Sequence, residues 1–182
     1  MDASNRETSE MPEDFHGSAT PLTDADLETT AGSMGCERAT IDAVCDVESS
    51  GSGFLRDGRP KILFEAHVFH HLTDGRWGRS HPGISSPQWN RALYGVGGAH
   101  QYERLAEAME LDEHAALQSA SWGRFQIMGE NYAMVGFRDV GAFVTAMCAG
   151  EREHLGAFQE FCDKRSLTSP LRNRDWVTFA PG

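Results

Sequence analysis

Three acids within eighteen residues, Glu48, Asp57 and Glu65, carry the chemistry most readily read from this chain. Ile41, Val44, Cys45 and Glu48 recur at i, i+3, i+4 and i+7, the one-face pattern of an amphipathic helix. At about 100° per residue, Glu48 lies only about 20° around the helix from Ile41. An ionisable group therefore continues an apolar stripe, at the end of a helix and just before the glycine-rich break Gly51-Ser52-Gly53. Burial and the negative end of a helix dipole both raise a carboxyl pKa. An acid that keeps its proton near neutral pH is what protonation of a glycosidic leaving oxygen requires. The competing reading is a helix-end carboxylate turned to solvent or paired with an arginine.

Such cleavage needs a second group to stabilise or attack an oxocarbenium-like centre. Glu65 is the favoured candidate, because it follows the apolar run Ile62-Leu63-Phe64 and is expected to be partly buried. Asp57 is held in reserve, since Asp57-Gly58 is also explained as plain turn chemistry. In Ser121-Trp122-Gly123-Arg124-Phe125-Gln126-Ile127-Met128-Gly129, a glycine beside aromatics allows close backbone approach. Gln126 there offers both a donor and an acceptor, although one Gln at an apolar helix start is common. His67, His70 and His71 share a helix face, but no His-Glu-x-x-His motif accompanies them, so no metal site is expected.

The elements that position these groups follow from periodicity and caps. Residues 1 to about 20 are polar and acidic and read as a disordered leader. Thr23-Asp24-Ala25-Asp26 reads as a helix start, with a short helix to about Ser33 and a second over Glu37–Glu48. Phe54 to Glu65 reads as a β-hairpin turning at Asp57-Gly58, with Pro60 on an edge strand. A helix over Ala66–Leu72 precedes a long irregular stretch, Asp74 to His100. That stretch interleaves Trp77, Trp89 and Tyr94, flat rings suited either to sugar faces or to pinning the loop on the core. Helices are expected over Tyr102–Leu111, Glu113–Ala120 (with Asp112 as its cap), Asp139–Ala149, Glu151–Arg165 and Arg174–Ala180.

Composition sets the outer limits. The 182 residues are 40% hydrophobic, enough for one domain with a core, and no apolar run approaches membrane-span length. A net charge of −11 argues against nucleic-acid binding. The N-terminus lacks a secretory signal pattern, so synthesis in the cytoplasm is expected, with release to the wall by an unspecified route. Cys36 and Cys45 read as sharing a helix about 13 Å apart, too far for a disulfide, and all four cysteines read as reduced thiols.

Four ordered blocks resemble the N-acetylmuramidase family of phage and prophage endolysins: Glu48–Phe54, Asp57–His67, Tyr102–Leu105 and Ala120–Gly129. The resemblance covers about Pro21 to Phe179. It implies an α+β, mainly α, lysozyme-like helical domain with a small β-hairpin beside a cleft, over residues 21–182. It further implies cleavage of the bond between N-acetylmuramic acid and N-acetylglucosamine in peptidoglycan. The family's catalytic glutamate maps onto Glu48, and its substrate-floor segment onto Gln126, with Phe125, Trp122 and Tyr102 as further contacts. No cofactor and no metal are implied, and the expected partner is the glycan strand, bound by a monomer without membrane insertion or nucleic acid. Against the family pattern the chain stops early, after Asp175-Trp176-Val177-Thr178-Phe179-Ala180-Pro181-Gly182, so a truncated and weakened product is one expectation. A lytic transglycosylase acting on the same bond, or a non-catalytic glycan-binding protein, are the rival readings.

Overall fold

A computed structural model describes residues 11–12, 14–49 and 51–179, with the side chains of residues 47–49 outside the described set. Helix α1 (Asp24–Met34) begins in a capping box: the Thr23 hydroxyl accepts from the Asp26 amide while the Asp26 carboxylate accepts from the Thr23 amide. It ends at Gly35 in the left-handed conformation, and α2 (Arg38–Ser49) follows. Arg38 ties the two helices by pairing with Asp24, Glu28 and Asp42. Ile41, Val44 and Cys45 are buried, as the stripe requires. Cys36 lies in the turn before α2 rather than within it, which corrects the shared-helix reading; all four cysteines are free thiols.

The sheet differs from the expected hairpin. Phe54 and Pro60 form only an isolated bridge around the Asp57-Gly58 turn. The strand proper, β1 (Ile62–Phe64), pairs antiparallel with β2 (Ala120–Trp122), which pairs in turn with β3 (Ile127–Met128). The Trp-Gly-Arg-Phe-Gln segment is thus a β2–β3 hairpin and not a helix start. Directly opposed residues share a face. One face carries Ile62, Trp122 and Ile127, all buried, with Phe64 and Ala120. The other carries Leu63, Ser121 and Met128.

From β1 the chain enters α3 (Ala66–Leu72) directly, with Glu65 at its N-cap. The stretch from 74 to 99 holds one 3₁₀ turn, Arg91–Leu93, and is otherwise irregular as expected. Helix α4 (His100–Gln118) is broken at Asp112, whose φ of −163° and ψ of 97° are extended. Its carboxylate accepts from the Ala115 amide at 3.0 Å, so it caps the second half as its sequence position predicts. The second half stops at Gln118, because Ala120 is already in β2.

Helix α5 (Val140–Ala149) starts at Asp139, whose carboxylate accepts from the Ala142 amide at 2.7 Å. It buries Val140, Phe143, Val144, Met147 and Cys148, each large apolar side chain contributing roughly 1.5–3 kcal/mol. Helix α6 (Glu151–Lys164) follows after Gly150, then α7 (Thr168–Arg172), a helix not expected from periodicity, and α8 (Trp176–Phe179). Among the described residues no helix is long and apolar enough to cross a membrane.

The leader reading needs correction over its second half; its first ten residues lie outside the described residues. Phe15 is buried, with its ring 5.2 Å from Tyr102 and 5.7 Å from Trp122. Thr20 bridges Gly150, its amide donating to Ala149 O and its carbonyl accepting from the Glu151 amide. One aromatic anchor and a strand-like pairing suffice to dock a segment whose composition alone reads as disordered.

Candidate active site

Glu65 stands where β1 becomes α3, its side chain 16% exposed. Its backbone is fixed from both sides: the amide donates to Ser119 O at 2.8 Å, and the carbonyl accepts from Val68 and Phe69 at the head of α3. The carboxylate is held through one oxygen. Oε2 accepts from the Tyr94 hydroxyl at 2.5 Å and lies 3.2 Å from His67 Nδ1. Among the described residues, Oε1 has no hydrogen-bond partner. Burial, and then the carboxylate it donates to, pushes the Tyr94 phenol up to about 12, so it stays a donor across the physiological range.

Behind Glu65, Arg104 is buried and gives its guanidinium to Phe64 O at 2.8 Å, Gln101 Oε1 at 3.1 Å and Gly83 O at 3.3 Å. Gln101 in turn donates to the carbonyls of Tyr94 and Val96, fixing the loop that carries Tyr94. In front, Tyr94 separates a narrow slot at Glu65 and His67 from a wide depression of about 410 Å³ that opens to solvent. Leu63, Trp89, Arg91, Tyr94 and Gly95 line the depression. Leu63 reaches it because its neighbours Ile62 and Phe64 point the other way, into the core. Trp89 is 61% exposed, with its ring 6.2 Å from that of Tyr94. An exposed tryptophan beside a half-buried tyrosine over a concavity, next to a half-buried carboxylate with an oxygen unpartnered among the described residues, is the arrangement a sugar-cleaving site uses.

A second constellation secures the loop that follows α2. Glu151, at the start of α6, is 3% exposed. It accepts from the Gly53 amide at 2.5 Å, the Leu22 amide at 3.0 Å, the Ser52 hydroxyl at 3.3 Å and Arg124 Nη1 at 3.0 Å. Burial alone would raise its pKa, but the Gly53 and Leu22 amides with Arg124 and His154 outweigh it, and the carboxyl is held below its usual value. His154 beside it accepts at Nδ1 from the Arg124 amide and donates from Nε2 to Met147 O at 2.7 Å. Its pKa is lowered, chiefly by burial. Gly53 and Gly123 press on its ring so closely that a Cβ would lie 2.6 Å and 2.7 Å from Nδ1. This knot joins the loop after Glu48 to α6 and to the β2–β3 turn.

The family description N-acetylmuramidase matches residues 37–182. The chain belongs to the N-acetylmuramidase family. Among solved structures it is similar to the crystal structure of Burkholderia AP3 phage endolysin, at 40% identity and a TM-score of 0.80. The match covers 87% of this chain and 61% of that one, so this chain spans about three fifths of that endolysin's length. No curated protein matches the chain. The helical architecture with a small antiparallel sheet accords with the lysozyme-like α+β fold implied by family membership.

Within this chain the residues singled out from sequence have different placements. Glu48 falls in the last turn of α2, and its side chain lies outside the described residues. Asp57 closes its own turn: it accepts from the Arg59 amide at 3.1 Å and from the Arg59 guanidinium at 2.7 and 3.0 Å. Those bonds hold its carboxyl below the usual range. Trp122 is fully buried and donates to Leu117 O, so it offers no ring face to a ligand. Tyr102 is buried with its hydroxyl on Pro60 O and Arg59 over its ring. Phe125 stacks on Phe158 with centroids 4.5 Å apart. Gln126 is half-buried, and its amide donates to Gly123 O and Lys61 O while accepting from the Ser121 hydroxyl, which locks the β2–β3 turn. His70 bonds Ser85, and among the described residues no group of three or more His, Cys, Asp or Glu could hold a metal. Sequence reasoning missed Tyr94 as the partner of Glu65 and missed the Glu151–Arg124–His154 knot entirely. The loop aromatics Trp89 and Tyr94 were the available signal for the depression.

Proposed function

We propose that the chain is a peptidoglycan hydrolase that cleaves the bond between N-acetylmuramic acid and N-acetylglucosamine, with Glu48 as general acid. The observation that carries this reading is Glu65: a half-buried carboxylate with one oxygen held by Tyr94 and His67 and the other without a partner among the described residues, beside an aromatic-lined depression, in a chain of the N-acetylmuramidase family. Glu48 precedes the last residue of α2, where the helix dipole favours a protonated acid. Its proton goes to the leaving glycosidic oxygen as the C1–O bond breaks. Glu65 then stabilises the positive charge developing at C1 or orients the incoming water, which leaves a hydroxyl on C1 and returns a proton to the pair. Tyr94 and His67 keep Oε2 fixed, so only Oε1 is presented to the reacting centre. Asp57, bound by Arg59, has no part in this scheme.

Mass spectrometry of fragments released from purified peptidoglycan tests the reading. Muropeptides with a borohydride-reducible N-acetylmuramic acid end, one water heavier than the strand, are the expected product. A 1,6-anhydro end would establish transglycosylation instead. Binding without any released fragment would make the chain a glycan-binding protein.

A further inference from the structure

The depression beside Tyr94 carries an exposed cation. Arg91 heads the 3₁₀ turn Arg91–Leu93, which is capped by the Asn90 side chain accepting from the Ala92 amide at 3.0 Å. Arg91 is exposed, and among the described residues its guanidinium makes no ion pair or hydrogen bond. Exposure alone would say nothing. Arg91, however, lines the same concavity as the exposed Trp89 ring and Tyr94, with Leu63 of the sheet.

Two chemistries meet in that space. An exposed tryptophan face suits the C–H face of a pyranose, and covering it removes apolar surface from water. A guanidinium fork suits a carboxylate, which it can bind through two parallel hydrogen bonds. In a chain of net charge −11, the overall field repels an anionic polymer, so attraction to a carboxylate has to be local. Of the two sugars in a peptidoglycan strand, only the muramoyl residue bears a lactyl group. That group ends in a carboxylate, or carries a stem peptide with carboxylates of its own.

We infer that Trp89 and Arg91 form a subsite for a muramoyl residue, in which Trp89 stacks on the pyranose and Arg91 pairs with a carboxylate on the lactyl side. The subsite rests on the reading of the chain as a peptidoglycan hydrolase and gives that hydrolase its choice between muramoyl glycans and a plain N-acetylglucosamine polymer.

Binding is measured by calorimetry on the full chain carrying Glu48→Gln, with three probes. They are chitotetraose, the alternating tetrasaccharide with free lactyl carboxylates, and the same tetrasaccharide bearing stem peptides. At low salt, at least one carboxylate-bearing probe should bind about tenfold more tightly than chitotetraose, the scale of one charge-assisted bidentate contact. Adding Arg91→Ala should abolish that preference, and Arg91→Lys should restore part of it. Adding Trp89→Ala should weaken all three probes alike. A preference already present with free lactyl groups assigns the carboxylate to the lactyl group; one seen only with stem peptides assigns it to the peptide. No preference in the parent, or one that survives Arg91→Ala, overturns the subsite. Fragment release by the chain with Glu48 intact, run in parallel, separates the two failures. No release overturns the hydrolase reading, whereas release with a preference indifferent to Arg91 overturns the subsite alone.

Discussion

Glu65 and Glu151 are built from the same parts and come to opposite ends. Each stands at the start of a helix, α3 or α6, and each has a histidine and an arginine beside it. Around Glu151 the arginine binds the carboxylate, two backbone amides and a hydroxyl join it, and 3% of the residue remains exposed. Around Glu65 the arginine spends its donors on the Phe64 and Gly83 carbonyls and on Gln101. Among the described residues the carboxylate keeps one oxygen without a partner, and its side chain is 16% exposed. A saturated carboxylate is a fastening, held ionised and unable to give or take a proton at neutral pH. An unsaturated one in a slot beside a depression is available for chemistry. Burial alone does not separate the two roles; the count of donors does.

The contrast can be broken at either end. Glu151→Ala leaves Arg124 without its buried partner and should cost about 3–5 kcal/mol, the range for breaking a buried ion pair. The melting midpoint should fall by about 10 °C for a chain of this size. A fall within about 2 °C would deny Glu151 its fastening role. Glu65→Gln should do the reverse: a stability change within about 1 kcal/mol, and peptidoglycan cleavage slowed about 100-fold or more. If its melting curve collapsed as that of Glu151→Ala should, the distinction between the two acids would be lost.

Smaller changes sharpen the picture. Gly123 has φ +71°, and a Cβ there would lie 2.7 Å from His154 Nδ1. Gly123→Ala should therefore cost about 1–3 kcal/mol through strain and overpacking, read as a lower denaturation midpoint in urea. The smallest effect is in the pH dependence. His154 and Glu151 both have pKa values below their ordinary 6.5 and 4.5, so the unfolded chain takes up their protons first as the pH falls. Stability is therefore fully present above pH 6.5, declines below it as unfolded His154 protonates, and declines further below 4.5 through Glu151. A melting series across pH 4 to 8 checks this.

Most helices of this fold were legible because their signals are local. Thr23, Asp112 and Asp139 announce helix starts by residue type, and the stripes at Ile41–Cys45 and Val140–Cys148 announce buried faces by spacing. The sheet was not legible in the same way. Strands of three and two residues are too short to show alternation, and β1 finds its partner 58 residues away, at Trp122–Ala120, not across the nearby Asp57-Gly58 turn. The site divides along the same line. Glu65 could be singled out by the apolar run before it, and Trp89 and Tyr94 by their place in a long loop. Trp122, Tyr102 and Phe125 read as ligand contacts by motif, yet their rings fill the core. Glu151, Arg124 and His154 look like ordinary polar residues of a helix and a turn, and only tertiary folding brings them together.

The central claim is that Glu48 supplies the proton for cleavage of the glycan strand. It is tested most directly by the rate of reducing-end release from purified peptidoglycan by Glu48→Gln, at matched melting midpoint with the parent chain. The expected rate is lower by about 1,000-fold, within the range for removing a general acid. Release at the parental rate by a folded Glu48→Gln chain would contradict it.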